Sequence, residues 1–362
     1  MSSLQLDIQC QGENDFTLDL KCQLPAAGIT AIYGPSGSGK STLLDCIAGL
    51  RKPSDSSIIR LNHTSWQAPG RCVPPWRRGI GYVFQDARLF PHLDTLGNLE
   101  YPLARSRPGS VTLDQVVNWL ELHDLLTYKV STLSAGQKQR VAIGRALLGS
   151  PELLLLDEPL ANLDHVAASE CLRCLQQLSA NTRIPMLYVS HNIEEVCQLA
   201  DHLLLLESGR AAEQGSLLDL CSRLDTRLSR EEQAAAIITG TIAGQDESFG
   251  LTDLDIDGHS LRVSQLRLPA GQSRRIRIPA RDVSICRERP RNSSILNIFP
   301  VTIEELEDTT APRLLLRLSL GRQYLLARIT RRSAVELGLQ KDDEVYAQIK
   351  SAALLTGPTD AV

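Results

Sequence analysis

The 362-residue sequence predicts an α/β domain built on a mostly parallel sheet, followed by a small all-β barrel of OB-like type. Three observations predict this. Between Gly34 and about Gly209, short apolar runs alternate with helix-length segments, the pattern of strands joined by crossover helices. Ahead of that region, residues 1–33 alternate polar and apolar side chains (Leu4, Leu6, Ile8, then Phe16, Leu18, Leu20), as antiparallel strands do. Beyond about residue 236, short alternating runs recur between turn residues.

Taken in chain order, buried strands are expected at Ile29–Tyr33, Leu153–Asp157, Met186–Ser190 and His202–Glu207, because each is a continuous apolar run bounded by polar residues. A helix is expected from Thr42 to Leu50. The Cys171–Leu178 stretch reads as an amphipathic helix covering the sheet. The polar stretch Leu224–Gln233 reads as a connection. Further strands are expected at Ala236–Ile242, Ser260–Val263, Arg275–Ile278, Val301–Glu305, Leu314–Leu318, Tyr324–Ile329 and Glu344–Ile349. The expected domains are 1–232, then 233–289 as linker and first part of a β domain, then 290–356.

Composition is that of a globular protein, 43% hydrophobic and 22% charged, and the net charge of −4 supplies no basic field for nucleic acid or anionic lipid. No apolar run approaches the ~18 residues that span a bilayer. The start, MSSLQLDIQC, lacks the basic and apolar regions of a secretion signal. Nine cysteines are scattered along the chain. Cys171 and Cys174 form a C-x-x-C with no second pair for zinc, so reduced, buried thiols of a cytosolic protein are expected. The arginines between Arg274 and Arg291 read as solvated strand faces.

The segment Gly34-Pro35-Ser36-Gly37-Ser38-Gly39-Lys40-Ser41-Thr42 follows a predicted strand and opens a predicted helix. It fits G-x-x-x-x-G-K-[ST], whose glycines let backbone N–H groups converge on an anion at a helix N-terminus. Lys40 is expected near the β- and γ-phosphates, and Ser41 offers a hydroxyl to Mg²⁺. The run Leu153–Leu156 ends in two acids. Asp157 is expected to reach Mg²⁺ through water, and Glu158 to act as general base on the attacking water. ATP and Mg²⁺ are therefore the expected cofactors.

The segment Leu133-Ser134-Ala135-Gly136-Gln137-Lys138-Gln139-Arg140, lying before that acidic strand, resembles the signature of ABC-type ATPases. The resemblance covers residues 4–225 and implies a P-loop NTPase cassette, a mixed-sheet core with a helical subdomain. It makes Gln85 the Q-loop glutamine that senses Mg²⁺, Leu163-Asp164 the D-loop, His191 the switch histidine on the γ-phosphate, and Phe16 the aromatic that stacks on adenine. It further implies that Ser134, Gly136 and Gln137 grip the nucleotide of an opposite subunit, so that a homodimer clamps two ATP molecules. Ala135 stands where most relatives have glycine, and its methyl is expected to crowd that phosphate. Taken singly, His191 also reads as a structural histidine, and Asp164 as the cap of a helix starting at His165.

Lacking a span, such a motor needs transmembrane permease subunits, with an extracytoplasmic solute-binding protein delivering cargo, and a place on the cytoplasmic face of the inner membrane. Pro91–Leu99 resembles the importer segment that meets the permease, with Phe90 and Leu93 as its apolar contact. The C-terminal segments Ser293–Asn297, Ala327–Leu339 and Val345–Ser351 resemble the molybdate-binding (Mop) barrel of molybdate-importer ATPases. That resemblance favours molybdate as cargo, with tungstate, sulfate or another solute as alternatives. Ser294, Asn297, Ser333 and Lys350 are the candidate oxyanion residues. Ser333 and Glu336 fit a capping box, which leaves free N–H groups at a short helix; Ser333 also reads as a cap alone, and Lys350 as a solvated lysine. A soluble ABC ATPase acting on nucleic acid or ribosomes fits poorly, since the chain has one cassette and no sustained heptads.

Overall fold

The computed structural model describes residues 2–12, 16–105, 109–266 and 268–350. The chain divides into two compact units, Met1–Gly215 and Ser216–Val362. Among the described residues no helix is long and apolar enough to cross a membrane.

The first unit opens with the antiparallel pair β1 (Ser3–Gln11) and β2 (Thr17–Pro25), whose strict alternation buries one face. After β3 (Ile29–Tyr33) and α1 (Lys40–Ala48), the short strands β4 (Ile58–Leu61), β5 (Thr64–Ala68) and β6 (Arg71–Cys72) extend that layer in the order β2-β1-β4-β5-β6. The second layer runs β11-β10-β3-β9-β8-β7. Its strands are β7 (Ile80–Val83), β8 (Leu153–Asp157), β9 (Met186–Ser190), β10 (His202–Glu207) and β11 (Arg210–Ser216), together with β3. The β10-β3-β9-β8-β7 pairs are all parallel. Residues of both layers and of α1 share one hydrophobic cluster, because the central strands are apolar on both faces. This is the expected mixed-sheet cassette. Strands β3, β8, β9 and β10 have the bounds read from the sequence. Helix α1 starts two residues before the expected Thr42: Gly39 caps it at φ 100°, a left-handed conformation that leaves no side-chain signal.

Helices α2 (Thr95–Leu103), α3 (Leu113–Trp119) and α4 (Ala135–Leu148) form a helical layer, with α5 (His165–Asn181) and α6 (Ile193–Leu199) following on. Helix α4 is held close by glycine. A Cβ on Gly144 would press on Leu99, Val116 and Leu120, and one on Gly136 would lie 2.8 Å from the Ala167 Cβ of α5. As expected, Cys171 and Cys174 face inward on α5, and burial pushes their thiols up to about 12 and about 11.

The second unit begins with α7 (Leu217–Ser222) and α8 (Arg227–Arg230). The expected connection 224–233 is thus partly helical, and Leu224 and Leu228 are buried. The break between units precedes the expected 232 because α7 packs on β12. One sheet runs β14-β13-β12-β15, from β12 (Ala235–Asp246), β13 (Leu251–Ile256), β14 (His259–Ser264) and β15 (Ser273–Pro279). The other runs β16-β20-β17-β18-β19, from β16 (Val283–Cys286), β17 (Asn297–Leu306), β18 (Arg313–Leu320), β19 (Gln323–Thr330) and β20 (Glu344–Ile349), with α9 (Arg331–Glu336) after β19. Edge strands β16 and β19 also meet, curling this sheet toward a barrel. Both sheets bury their apolar faces in one cluster from Ile238 to Ile349.

Two carboxamides staple the sheets together. Gln323 accepts from the Thr239 N–H (2.6 Å) and donates to its carbonyl (2.8 Å). Asn297 accepts from the Arg262 N–H (2.7 Å) and donates to its carbonyl (2.9 Å). Each amide supplies the donor and acceptor that a neighbouring strand would supply.

Candidate nucleotide site

Of the expected site residues, Lys40, Ser41, Asp157, Glu158 and His191 meet at the carboxyl ends of β3, β8 and β9, where a parallel sheet presents its loops. The loop 34–39 leaves β3 beneath the Leu206 carbonyl, against which a Cβ on Gly34 would collide. Pro35, Ser36 and Gly37 form its exposed tip, whereas Ser38 and Lys40 are buried. Gly37 has φ 78°, and nothing lies within 4 Å of where its Cβ would be. Lys40 Nζ donates to the carbonyls of Gly34 (2.9 Å) and Pro35 (3.0 Å) and lies 4.0 Å from a Glu158 carboxylate oxygen. Burial lowers the Lys40 pKa, and the charges of Glu158 and Asp157 oppose that shift. Thr42 follows Ser41 within α1.

At the end of β8, Asp157 accepts from the Ser41 hydroxyl at 3.1 Å. Burial raises the Asp157 pKa, which the Ser41 bond partly offsets. Glu158 turns sharply, with φ 43°, its N–H bonded to the Val189 carbonyl at 3.1 Å. That conformation is uncommon for a side-chain-bearing residue and aims the carboxylate back at Lys40. Glu158 also lies 3.2 Å from His191 Nδ1. His191 is exposed just past β9, where Ser190 and Tyr188 both donate to Glu195 at 2.7 Å.

Phe16 also belongs to this site. Its ring edge lies 2.6 Å from where a Gly39 Cβ would sit, so it packs directly on the phosphate loop. Gln85 is exposed beyond β7 and has no side-chain hydrogen bond among the described residues. It lines a cleft of about 360 Å³ with Ala135, Gln139, Pro159, Asn162 and Leu163. The structure thus places Gln85 beside the signature helix rather than on Ser41 or Asp157. Ser134 caps α4: its hydroxyl accepts from the Gln137 N–H (3.2 Å), and Gln137 Oε1 accepts from the Ser134 N–H (2.9 Å). Both polar side chains are thereby engaged within the chain, and Gly136 is the close contact to α5. Asp164 does cap α5, accepting from the Ala167 N–H at 2.9 Å. Phe90 and Leu93 are half-buried, whereas Tyr101 and Leu103 nearby on α2 are exposed.

The geometry fits a polyphosphate. Ser38 Oγ is buried without a hydrogen-bond partner, an orphan that an anionic oxygen would satisfy. Among the described residues no cluster of three or more His, Cys, Asp or Glu is arranged to hold a metal. Ser41 and Asp157 would therefore share a cation with phosphate oxygens, as Mg²⁺ prefers.

The C-terminal candidates are dispersed. Asn297 is buried and clamps Arg262, which corrects its reading as an available ligand. Ser333 does not open α9. Thr330 does, its hydroxyl accepting from the Ser333 N–H (3.1 Å) and pairing with the Ser333 hydroxyl (2.7 Å). Glu336 bonds Arg332 at 2.7 Å instead of closing a box, because β19 runs to Thr330 and the helix begins at once. Ser294 and Lys350 are exposed. Register puts Asn297 opposite Ile349, next to Lys350, whereas Ser333 lies past Thr330, which pairs with Arg313. Ser351, the end of the third segment, lies outside the described residues.

Sequence analysis missed Tyr82, whose hydroxyl reaches Asp157. No strand was expected at Ile80–Val83, where it lies.

Comparison with known proteins gives matches to both parts of the chain. The ABC transporter family model matches residues 18–161, and the TOBE domain model matches 293–355. The molybdenum import ATP-binding protein ModC of Methylococcus capsulatus is 45% identical over 342 residues, covering 94% of this chain and 96% of the relative. ModC 1 of Azotobacter vinelandii is 44% identical over 94% of this chain and 95% of its own length. Among solved structures, a dimeric post-hydrolysis ATP-binding cassette bound to ADP and phosphate matches with TM-score 0.51 at 27% identity, over 60% of this chain and 99% of that one.

Proposed function

Because the chain belongs to the ABC transporter ATP-binding proteins, in the molybdenum import branch, we propose that it is the ATP-hydrolysing subunit of a molybdate importer. It works as a homodimer beneath transmembrane permease subunits at the cytoplasmic face of the inner membrane, with a solute-binding protein delivering cargo from outside. Mg²⁺-ATP supplies the phosphoanhydride bond whose cleavage drives transport. The chain's residues divide the remaining work. The loop N–H groups and Lys40 bind phosphate oxygens, and Ser41 and Asp157 present two oxygens to the cation. Glu158 takes a proton from the attacking water, and His191 orients Glu158 from 3.2 Å. Phe16 supplies an apolar face for the base beside Gly39. Gln85 and the capped start of α4, with Ser134, Gly136 and Gln137, meet the partner subunit and permease, and Phe90, Tyr101 and Leu103 form the apolar contact.

The carrying observation is the convergence of Lys40, Glu158 and His191 at 4.0 and 3.2 Å beside the Ser41–Asp157 pair. The test is molybdate uptake by cells in which this chain is the only such ATPase. Wild type restores uptake, and Lys40→Ala does not. Restored sulfate uptake with no molybdate uptake would reassign the cargo. Molybdate or tungstate binding by the second unit is proposed from the family resemblance, through Ser294, Ser333 and Lys350 contributed by two subunits. Calorimetry of the full-length chain with molybdate, tungstate and sulfate tests it, and no heat with any of them contradicts it.

A further inference from the structure

A ring of polar contacts, closed through helix α1, surrounds the Asp157 carboxylate. Its Oδ1 accepts from Ser41 at 3.1 Å. Its Oδ2 lies 3.4 Å from the Tyr82 hydroxyl, which also lies 3.1 Å from Asp45 Oδ1. Ser41 and Asp45 are four residues apart on α1, hence on one face, so the ring closes through the helix. Tyr82 sits on β7 opposite Leu155 of β8, half-buried, its ring stacked on Phe84 at 4.1 Å.

The chemistry of this ring is asymmetric. Ser41 and the Oδ1 side of Asp157 would hold a divalent cation in place of the hydrogen bond between them. The Tyr82 bond is on the other oxygen and is not displaced. A phenol carries one proton, so it donates to Asp45 or to Asp157 but not to both at once.

We propose that Tyr82 is a positioning residue for the divalent cation: its hydroxyl holds the far oxygen of Asp157 and so fixes the carboxylate's orientation toward the metal. The inference rests on Asp157 helping to hold the metal, directly or through a water. Removing a hydrogen bond behind a ligand commonly weakens metal binding about tenfold or more.

The test measures Mn²⁺ binding to the full chain by electron paramagnetic resonance at saturating ADP, with metal-free ADP binding measured alongside. Tyr82→Phe removes the hydroxyl and keeps the ring on Phe84. It should weaken Mn²⁺ binding about tenfold and leave metal-free ADP affinity within about twofold. Asp45→Asn leaves the phenol its Asp157 acceptor and should leave Mn²⁺ affinity within about threefold. If Tyr82 serves only to brace α1 through Asp45, Asp45→Asn weakens Mn²⁺ as much as Tyr82→Phe does, and the inference is overturned. Unchanged Mn²⁺ affinity in Tyr82→Phe also overturns it, as does an equal loss of metal-free ADP binding. Asp157→Asn separates the two layers: if it binds Mn²⁺ as wild type does, the site reading itself fails. If it loses Mn²⁺ while Tyr82→Phe does not, only the present inference fails. Should Tyr82→Phe not fold, 3-fluorotyrosine placed at 82 reports by fluorine NMR in the native framework. A shift on adding Mg²⁺ to the ADP complex supports the proposal, and a resonance unmoved by Mg²⁺ overturns it.

Discussion

The two units differ in how closely their candidate residues gather. In the first, Lys40 and Ser41 at the start of α1, Asp157 and Glu158 at the end of β8 and His191 past β9 are linked in pairs, Lys40–Glu158 at 4.0 Å, Ser41–Asp157 at 3.1 Å and Glu158–His191 at 3.2 Å. In the second, Asn297 clamps a backbone, Ser333 pairs with a cap, and Ser294 and Lys350 face solvent. A motif whose members must all touch one ligand is over-determined, since each residue confirms the others. A set of scattered polar residues has no such cross-check, and ordinary structural duties claim them one at a time.

The largest effect expected of this contrast is at Lys40. Its amine is buried and aimed into the loop, so Lys40→Ala should weaken ATP binding by at least about a hundredfold, given the strength of charge-assisted contacts. Fluorescent-nucleotide titration checks it, and a change below about threefold would erase the distinction between the two units.

Next comes Asn297. Replacing it with Ala leaves the Arg262 N–H and carbonyl without their partner, a cost of about 2–4 kcal/mol for two groups at the buried seam. Denaturant unfolding should show the second unit destabilised, with the ATPase rate of the folded protein unchanged. A loss of molybdate affinity without loss of stability would make Asn297 a ligand and close the gap between the regions.

A smaller effect separates Thr330 from Ser333. Thr330→Ala removes the N-cap of α9 and should cost about 1 kcal/mol, and Ser333→Ala less than about 0.5 kcal/mol. The reverse order would restore the capping box read from the sequence.

The smallest effect concerns thiols. Cys171 and Cys174, pushed up to about 12 and about 11 by burial, hold almost no thiolate at pH 8. Raising the pH toward 11 is what would ionise them. Alkylation of the native protein at pH 8 should therefore label exposed Cys72 and spare the α5 pair; mass spectrometry reads the sites.

What the sequence made legible follows the same division. Central strands β3, β8, β9 and β10 were readable to the residue, because strands buried on both faces are uninterrupted apolar runs. Strand β13 was not, since the polar Thr252 holds one of its three inward positions and leaves only Leu254 and Ile256 as an apolar alternation. The nucleotide residues were legible because their spacing along the chain mirrors their meeting at strand ends. Asn297 was not, because its partner Arg262 lies on another strand, and only the packing of two sheets brings them together. Tyr82 was hidden for a related reason: β7 itself was not expected, and the Tyr82 hydroxyl acquires meaning only once β7 lies beside β8.

The central claim, that the cluster around the phosphate loop is an ATP-hydrolysing centre with Glu158 as its base, is tested most directly by release of phosphate from ATP by Glu158→Gln protein. ATP binding should stay close to wild type, with hydrolysis reduced by a factor of about 10² to 10⁴. Hydrolysis at the wild-type rate would contradict it.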